Sequence, residues 1–245
     1  MLALNALQIG HQRALNTKPL QASFEVGQLV VLLGRNGCGK TTLLRTLGRW
    51  LPPQAGQVLW QNQPLSSYSA KAFAKELSIV TTERVQTPYL TVYNLLALGR
   101  QPYLGFWGKL GAEDHTVIKK ILHDLGIDHL KDKYLADCSD GEQQLVLLGR
   151  ALAQDTAIIL LDEATAHLDF VNRIKIFQTL QQLAIEQQKL LFLATHELEI
   201  ALKFAHQVIL FEPQAWKVAT PAVLLEQKAL QRVFKTEGLN YQLSL

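Results

Sequence analysis

The sequence lacks the features of a secreted, disulfide-linked or membrane-spanning protein. Its 245 residues include two cysteines, Cys38 and Cys138, which we interpret as free thiols in a reducing compartment. The first residues show no basic region followed by an apolar stretch and a small-residue cleavage site, which argues against secretion. Apolar runs such as 29–33 and 157–161 are far shorter than the roughly 20 residues that span a bilayer. We therefore expect a chain that does not cross a membrane by itself, although it can lie on one.

Charge is also scarce. Charged residues make up 18% of the chain, against about a quarter in an average globular protein. The 24 basic and 21 acidic residues leave a net charge of +3, which is too small to indicate a nucleic-acid partner. The low charge instead leaves surface that a protein partner can cover. The hydrophobic fraction of 48% and mean hydropathy of +0.07 are those of a globular protein, and the length fits one domain with an inserted lobe.

Short apolar runs alternate with helical patterns along most of the chain. The run at 29–33 is continuously apolar, as in a strand buried on both faces of a parallel sheet. Further strand candidates lie at 58–60, 77–81, 157–161, 190–194 and 207–211. Helical patterns cover 41–51, which Pro52 and Pro53 end, and 221–234, while 62–64 is a turn candidate.

The alternation predicts an α/β fold with a doubly wound, mainly parallel sheet. Residues from about 92 to 153 are mainly helical, with a break at 99–111 that is rich in glycine, proline and aromatic residues. We interpret them as a helical subdomain inserted between two strands of a single domain that spans residues 1–245.

A glycine-rich motif follows directly after the first apolar run. Residues 34–41 match the pattern G-x-x-x-x-G-K-[ST] at every fixed position. Its glycines let backbone N–H groups surround phosphate oxygens, and the next helix adds its N-terminal dipole. Lys40 can reach the β and γ phosphates, and the Thr41 hydroxyl can ligate Mg²⁺. The predicted ATP-binding residues are Gly34, Arg35, Asn36, Gly37, Cys38, Gly39, Lys40, Thr41 and Thr42.

An acidic pair ends the strand predicted at 157–161. Asp162 and Glu163 follow four apolar residues, and at the carboxyl end of a strand beside the phosphate loop Asp162 can hold Mg²⁺. Glu163 can accept a proton from an attacking water, a role worth roughly 10²–10⁴-fold in rate. Alone, such a pair is typical of an ordinary loop. Together with the phosphate loop it predicts a nucleotide hydrolase.

Three further motifs narrow the family. Residues 138–143, Cys-Ser-Asp-Gly-Glu-Gln, resemble the LSGGQ signature of ABC-type ATPases, and 150–153 look like its usual helical continuation. Residues 166–169 resemble the D-loop of that family, and Thr195-His196 resembles its switch-histidine loop. Because the motifs occur in the family's order, the chain resembles an ABC ATPase from about residue 2 to 235.

The resemblance implies a P-loop NTPase with a mainly parallel sheet, a small antiparallel β subdomain and the helical lobe. It also implies a head-to-tail dimer with two ATP molecules, each held between the phosphate loop of one copy and the signature of the other. Ser139 and Gly141 would then face the γ-phosphate, because a helix N-terminus binds anions. Glu163 would be the catalytic base, His196 would contact the γ-phosphate, and Asp169 would belong to the D-loop.

Several positions depart from the commonest form of the family. Asp140 replaces the first signature glycine and Glu142 replaces the glutamine, so we expect these carboxylates to point away from a partner's triphosphate or to cap their helix. His11 is our candidate for the aromatic residue that stacks on adenine. Thr82 aligns with the glutamine that normally contacts Mg²⁺ and water, and Gln86 is the alternative if that loop is longer.

Residues 98–114 resemble the segment LGR-x-P-Y…G…L…ED of importers for iron-siderophore, haem and cobalamin. In that family this lobe contacts the membrane subunits, and Phe106 and Trp107, if exposed, would form an apolar docking patch. The resemblance implies an ATP-hydrolysing subunit that is peripheral to the cytoplasmic face of the inner membrane and binds polytopic permease subunits. Two other functions stay open: a soluble ABC ATPase without a transport role, and a nucleotide-binding regulatory module with little turnover.

Overall fold

In the described part of the chain the strands form two sheets, with helices packed against the larger one. A computed structural model describes residues 1–12, 14–15, 18–81, 87, 89–165, 168–213 and 215–234. The strands are β1 (Leu2–Gln8), β2 (Leu20–Phe24), β3 (Leu29–Leu33), β4 (Ala55–Trp60), β5 (Gln63–Pro64), β6 (Leu77–Val80), β7 (Ile158–Asp162), β8 (Leu190–Ala194), β9 (Gln207–Phe211) and β10 (Trp216–Ala219). The helices are α1 (Lys40–Leu47), α2 (Ala70–Glu76), α3 (Val92–Leu98), α4 (Ala112–Asp124), α5 (Asp140–Ala153), α6 (Phe170–Glu186), α7 (Leu198–Phe204), α8 (Pro221–Glu226) and α9 (Ala229–Phe234).

The larger sheet has the strand order β10-β9-β3-β8-β7-β6. Its neighbouring strands pair in parallel, except that β10 runs antiparallel to β9. The smaller sheet is antiparallel, with the order β2-β1-β4-β5. This is the arrangement predicted: a mainly parallel core beside a small antiparallel sheet.

The central strand β3 is buried on both faces. Leu29, Val31 and Leu33 belong to a core shared with the helices, whereas Val30 and Leu32 belong to a second core shared with α1 and the antiparallel sheet. All five side chains have 0% exposure. The continuous apolar run is therefore explained by period-2 alternation between two buried faces.

Some predicted boundaries were wrong. The helix predicted at 41–51 ends at Leu47, well before the two prolines, because the chain turns at Gly48 and Arg49 has a φ of 61°. The helical pattern at 221–234 is split into α8 and α9, and Lys228 between them has a φ of 50°. The turn predicted at 62–64 is centred on Gln61 and Asn62, both with positive φ, which lets β4 and β5 form a hairpin.

Helices α3, α4 and α5 pack against one another between β6 and β7 in the chain order. Gly149 of α5 allows the close approach, since a Cβ there would lie 3.2 Å from Leu125 Cδ1. The treatment of residues 92–153 as a separate subdomain stays a prediction. No helix in the described residues is both long and apolar enough to cross a bilayer.

A buried ion pair closes the loop between α3 and α4. Arg100 Nε lies 2.8 Å from Asp114 Oδ1, and Arg100 also donates to the carbonyl of Ala153 at 3.0 Å. The second oxygen of Asp114 accepts the backbone N–H of Gly111 at 2.9 Å. The hydrogen bond from Arg100 is the main reason that the pKa of Asp114 is lowered. Arg100 and Asp114 of the 98–114 segment therefore hold the loop in place.

Arg100→Met should lower the free energy of unfolding by about 3–5 kcal/mol, because it leaves the buried Asp114 carboxylate without its partner. Urea unfolding at neutral pH measures this change. Lys120→Met is the matched control: it breaks the exposed pair between Lys120 and Asp124 on α4 and should cost less than about 1 kcal/mol. Equal effects of the two substitutions would contradict the structural role of Arg100.

Candidate functional site

The glycine-rich loop lies between the end of β3 and the start of α1, as predicted. Gly37 and Gly39 have φ values of 75° and 110°, a backbone region that side-chain-bearing residues rarely adopt. Gly34 has a different reason to lack a side chain, because a Cβ there would lie 2.7 Å from Cys38 Sγ and 2.8 Å from Phe211 Cβ. The three glycines are thus required by backbone conformation at two positions and by close packing at the third.

Lys40 is the first residue of α1 and is 6% exposed. Its ammonium donates to the carbonyls of Gly34 at 3.0 Å and Arg35 at 3.4 Å. These contacts place the charge inside the curve of the loop. Arg35, Asn36 and Gly37 are exposed along the outside of the curve, and Thr42 is half-buried in the first turn of the helix.

Two oxygen-bearing side chains meet beside the loop. The Thr41 hydroxyl donates to Asp162 Oδ1 at 3.1 Å, although the two residues are far apart in sequence. Burial raises the pKa of Asp162, while the hydrogen bond from Thr41 acts in the opposite direction. This pairing is the one that the two sequence motifs predicted for Mg²⁺. Thr82, the third predicted metal ligand, and Gln86 lie outside the described residues.

Glu163 and His196 follow neighbouring strands, β7 and β8. Glu163 has a φ of 49°, an uncommon conformation for a non-glycine residue that is often found at active sites. Its backbone N–H donates to the carbonyl of Ala194 at 2.9 Å, which ties it to the end of β8. The carboxylate then lies 3.9 Å from His196 Nδ1. The structure thus brings together the predicted base and the predicted switch histidine.

The signature-like residues start helix α5. Ser139 is the N-cap, and its hydroxyl accepts the backbone N–H of Glu142 at 3.3 Å. Glu142 reaches back to accept the Ser139 N–H at 2.8 Å, and Lys133 donates to the same carboxylate oxygen at 3.1 Å. These bonds, the one from Ser139 first, lower the pKa of Glu142. As expected from the sequence, Glu142 caps its own helix; Asp140 and Gly141 lie in the first turn beside it.

A cavity of about 470 Å³ adjoins the phosphate loop. Its lining residues are Leu15, Arg35, Asn36, Gly37, Cys38, Phe211, Glu212, Pro213, Arg232 and Val233. The lining therefore includes none of the described residues from 138 to 143. Within one chain, the signature-like residues do not contribute to this cavity.

Leu15, in the connection between β1 and β2, packs against the phosphate loop. A Cβ on Gly39 would lie 2.7 Å from Leu15 Cδ1, so the leucine covers this glycine closely. His11 is exposed, and its carbonyl accepts a bond from Gln54 at 3.0 Å. Leu15 is aliphatic, so the family's pattern of an aromatic residue near the first strand does not mark it. The stacking role of His11 stays a prediction.

Asp169 is the N-cap of α6, and its carboxylate accepts the backbone N–H of Asn172 at 2.8 Å. Ala166 and His167, the preceding residues of the D-loop-like motif, lie outside the described residues.

Sequence reasoning also missed Arg173 and Glu197, whose side chains form an ion pair of 2.7 Å. Neither residue belongs to a motif that could have marked it.

A second and larger cavity, of about 680 Å³, lies along the segment 98–110. Ala74, Asn94, Ala97, Leu98, Gln101, Pro102, Leu104, Gly105, Phe106, Gly108 and Leu110 line it. At its edge Phe106 is 96% exposed and Trp107 is 83% exposed, with their rings in edge-to-face contact. These two residues form the exposed apolar patch that the sequence analysis described.

Known proteins resemble this chain in both sequence and fold. The chain is 33% identical over 230 residues to the iron(3+)-hydroxamate import ATP-binding protein of Bacillus subtilis, covering 91% of this chain and 86% of that protein. It is 30% identical over 229 residues to the ferric enterobactin transport ATP-binding protein of Escherichia coli, covering 93% and 84% respectively. A solved structure described as an inward-facing conformation of a metal-chelate type ABC transporter matches with a TM-score of 0.83 at 25% identity, covering 96% of this chain and 88% of that one.

The family model described as "ABC transporter" matches residues 17–166, which is more than half of the chain. The fold class and the family resemblance predicted from the sequence are both confirmed by these likenesses. The chain belongs to the ABC transporter family.

Proposed function

We propose that this chain is the ATP-binding and ATP-hydrolysing subunit of a membrane transporter that imports an iron-siderophore, haem or cobalamin-type chelate. The observation that carries the proposal is the meeting of Lys40, Thr41, Asp162, Glu163 and His196 at one edge of the parallel sheet. The names of the relatives and the segment 98–114 support the transported class.

The phosphate loop and Thr41-Asp162 pair would bind the nucleotide with Mg²⁺. Backbone N–H groups of residues 34–39 and the Lys40 ammonium suit phosphate oxygens. Thr41 and Asp162 are hard oxygen donors, and Mg²⁺ commonly takes one or two protein oxygens and completes its shell with water and phosphates. Bound Mg²⁺ would neutralise charge on the phosphate oxygens.

Glu163 is suited to act as the general base. Its carboxylate is half-buried, and its backbone is fixed by the bond to Ala194, so its position relative to the phosphate loop is set by the sheet. A carboxylate there can accept the proton of the attacking water. His196, 3.9 Å away, would contact the γ-phosphate and keep water and phosphate in line.

A second copy would complete the site. Ser139, Asp140, Gly141 and Glu142 start α5, and a helix N-terminus binds anions. They do not line the cavity beside their own loop. We propose a head-to-tail dimer in which these residues and Asp169 face the ATP bound to the other copy. Since Glu142 is bound to Ser139 and Lys133, its charge would be partly neutralised there.

The cavity along residues 98–110 would receive the membrane subunits. Large aromatic rings as exposed as Phe106 and Trp107 are typical of an interaction surface. The chain would accordingly be peripheral to the cytoplasmic face of the inner membrane and bind polytopic permease subunits.

Glu163→Gln should retain ATP binding but reduce steady phosphate release by roughly 10²-fold or more, because glutamine cannot act as the base. Fluorescent ATP binding and phosphate release measure the two effects on the same preparation. Lys40→Ala is the contrasting control and should lose affinity for ATP. Unchanged hydrolysis in the Glu163→Gln chain would overturn the role of Glu163. Binding by the parent without any turnover would favour a regulatory module.

The double variant Phe106→Ser/Trp107→Ser should lose association with the membrane subunits, because it removes both exposed rings of the patch. The measurement is co-purification of a polytopic membrane protein from detergent-solubilised membranes. Trp50→Ser is the matched control, since Trp50 is 54% exposed after α1, and it should keep the association. Co-purification with ribosomes or DNA instead would favour a soluble ABC ATPase.

A further inference from the structure

Arg173 joins two segments of the site that are distant in sequence. It lies in the first turn of α6, and its side chain is 20% exposed. One terminal nitrogen donates to the carbonyl of Leu168 at 2.8 Å, and the other lies 2.7 Å from Glu197 Oε1. The guanidinium therefore links the turn before α6 to the loop after β8.

The same oxygen of Glu197 also contacts the switch histidine. Glu197 Oε1 is 3.3 Å from His196 Nε2, while His196 Nδ1 faces Glu163 Oε1 at 3.9 Å. The contacts therefore run without a break from the Leu168 carbonyl through Arg173, Glu197 and His196 to Glu163. Arg173 and Glu163 lie on segments different from the loop that carries His196 and Glu197.

The charge of Glu197 makes its contact with Arg173 important for the position of His196. Glu197 is 18% exposed at its side chain, so its carboxylate is only weakly screened by solvent. Arg173 neutralises it with a short charged contact. Without the guanidinium, that carboxylate would attract the imidazole N–H of His196 more strongly. The ring would then be held toward Glu197 and away from a phosphate.

We propose that Arg173 is a positioning residue for ATP hydrolysis: by neutralising and fixing Glu197, it sets the position of the His196 imidazole between Glu197 and Glu163 and keeps Glu197 from drawing the ring out of reach of a phosphate. Because Arg173 also holds the Leu168 carbonyl, movement of the turn before α6 is transmitted to His196. This inference rests on the ATPase function proposed above.

Arg173→Gln should lower kcat for ATP hydrolysis by about tenfold or more, since a misplaced catalytic group costs rate. The KM for ATP should stay within about threefold, because Arg173 does not line the phosphate loop. Arg173→Lys should recover part of kcat, since an ammonium can still pair with Glu197 although it cannot bond both partners in the same geometry. Lys175→Gln removes an equal charge from an exposed position on the same helix and should match the parent chain.

The double variant Arg173→Gln/Glu197→Gln separates positioning from a purely structural role. It removes the uncompensated carboxylate, so its kcat should exceed that of Arg173→Gln alone. If Arg173 only stabilised the fold, any recovery of kcat would come with a recovery of Tm, because removing an unpaired, largely buried carboxylate also restores stability. Thermal unfolding of every variant is measured alongside. If Arg173→Gln does not fold, Arg173→Lys provides the test, with a reduced kcat at an unchanged Tm as the supporting result and a kcat equal to that of the parent as the refuting one.

Three results for Arg173→Gln would overturn the proposal. The first is a kcat within twofold of that of the parent, and the second is a change confined to KM. The third is a fall in kcat and Tm together, without recovery of kcat in Arg173→Lys or in the double variant. Failure of the ATPase proposal is separate, because it shows as a parent chain that releases no phosphate. In that event, NMR of the His196 ring nitrogens provides the test. Arg173→Gln should shift these resonances while Lys175→Gln leaves them in place, and unshifted resonances in Arg173→Gln would refute the link.

Discussion

The site depends on the register of three parallel strands. Leu32 of β3 pairs with Ala194 of β8, and Ala194 in turn pairs with Asp162 of β7. The residues that follow these positions therefore lie at the same edge of the sheet. This brings together the phosphate loop, the acidic pair and His196. Because both faces of the sheet are buried, a slip of one residue would move apolar side chains to the wrong core. The packing that stabilises the sheet thus also fixes the geometry of the site.

Polar groups in the helical region serve other purposes. Arg100 and Asp114 pair inside the protein and hold the loop after α3, while Lys133 and Glu142 fix the start of α5. The rings of Phe106 and Trp107 stay outside. Charged pairs therefore shape this region from inside, and the exposed rings form the surface that we propose for a partner. That division agrees with the low charge content of the whole chain.

Much of the fold could be predicted because the information is local. The strands β3, β8 and β9 lie where they were predicted. A strand buried on both faces appears as a continuous apolar run, which can be recognised without an alternating pattern. Local signals failed where backbone conformation decided the outcome. The chain turns after Leu47 and Arg49 has a positive φ, so α1 ends ahead of Pro52 and Pro53, which were predicted to end it. In β1, Ala6 with a φ of 49° interrupts the strand alternation, which explains why this strand was not predicted.

In the site, too, residues marked by local sequence patterns could be predicted and the others could not. Lys40, Thr41 and Asp162 could be predicted from motifs, because phosphate and Mg²⁺ binding require these residue types at nearly fixed positions after a strand. Arg173 and Glu197 could not, because their pairing depends on how α6 crosses the end of β8, and an arginine on a helix surface usually faces solvent. Leu15 was missed for a related reason, since its role is to fill space beside Gly39 and any apolar residue of suitable shape could do so.

The contacts of Lys40 with the carbonyls of Gly34 and Arg35 have a consequence for how tightly an anion can bind. By bridging these two carbonyls the lysine helps to hold the loop in its curved form, so binding a phosphate needs little further ordering of the backbone. In exchange, two of the three ammonium protons are engaged by these carbonyls, so a phosphate oxygen that takes either proton must displace a neutral acceptor. The loop is therefore preorganised at some expense of affinity, a balance that favours release of the nucleotide as well as its capture.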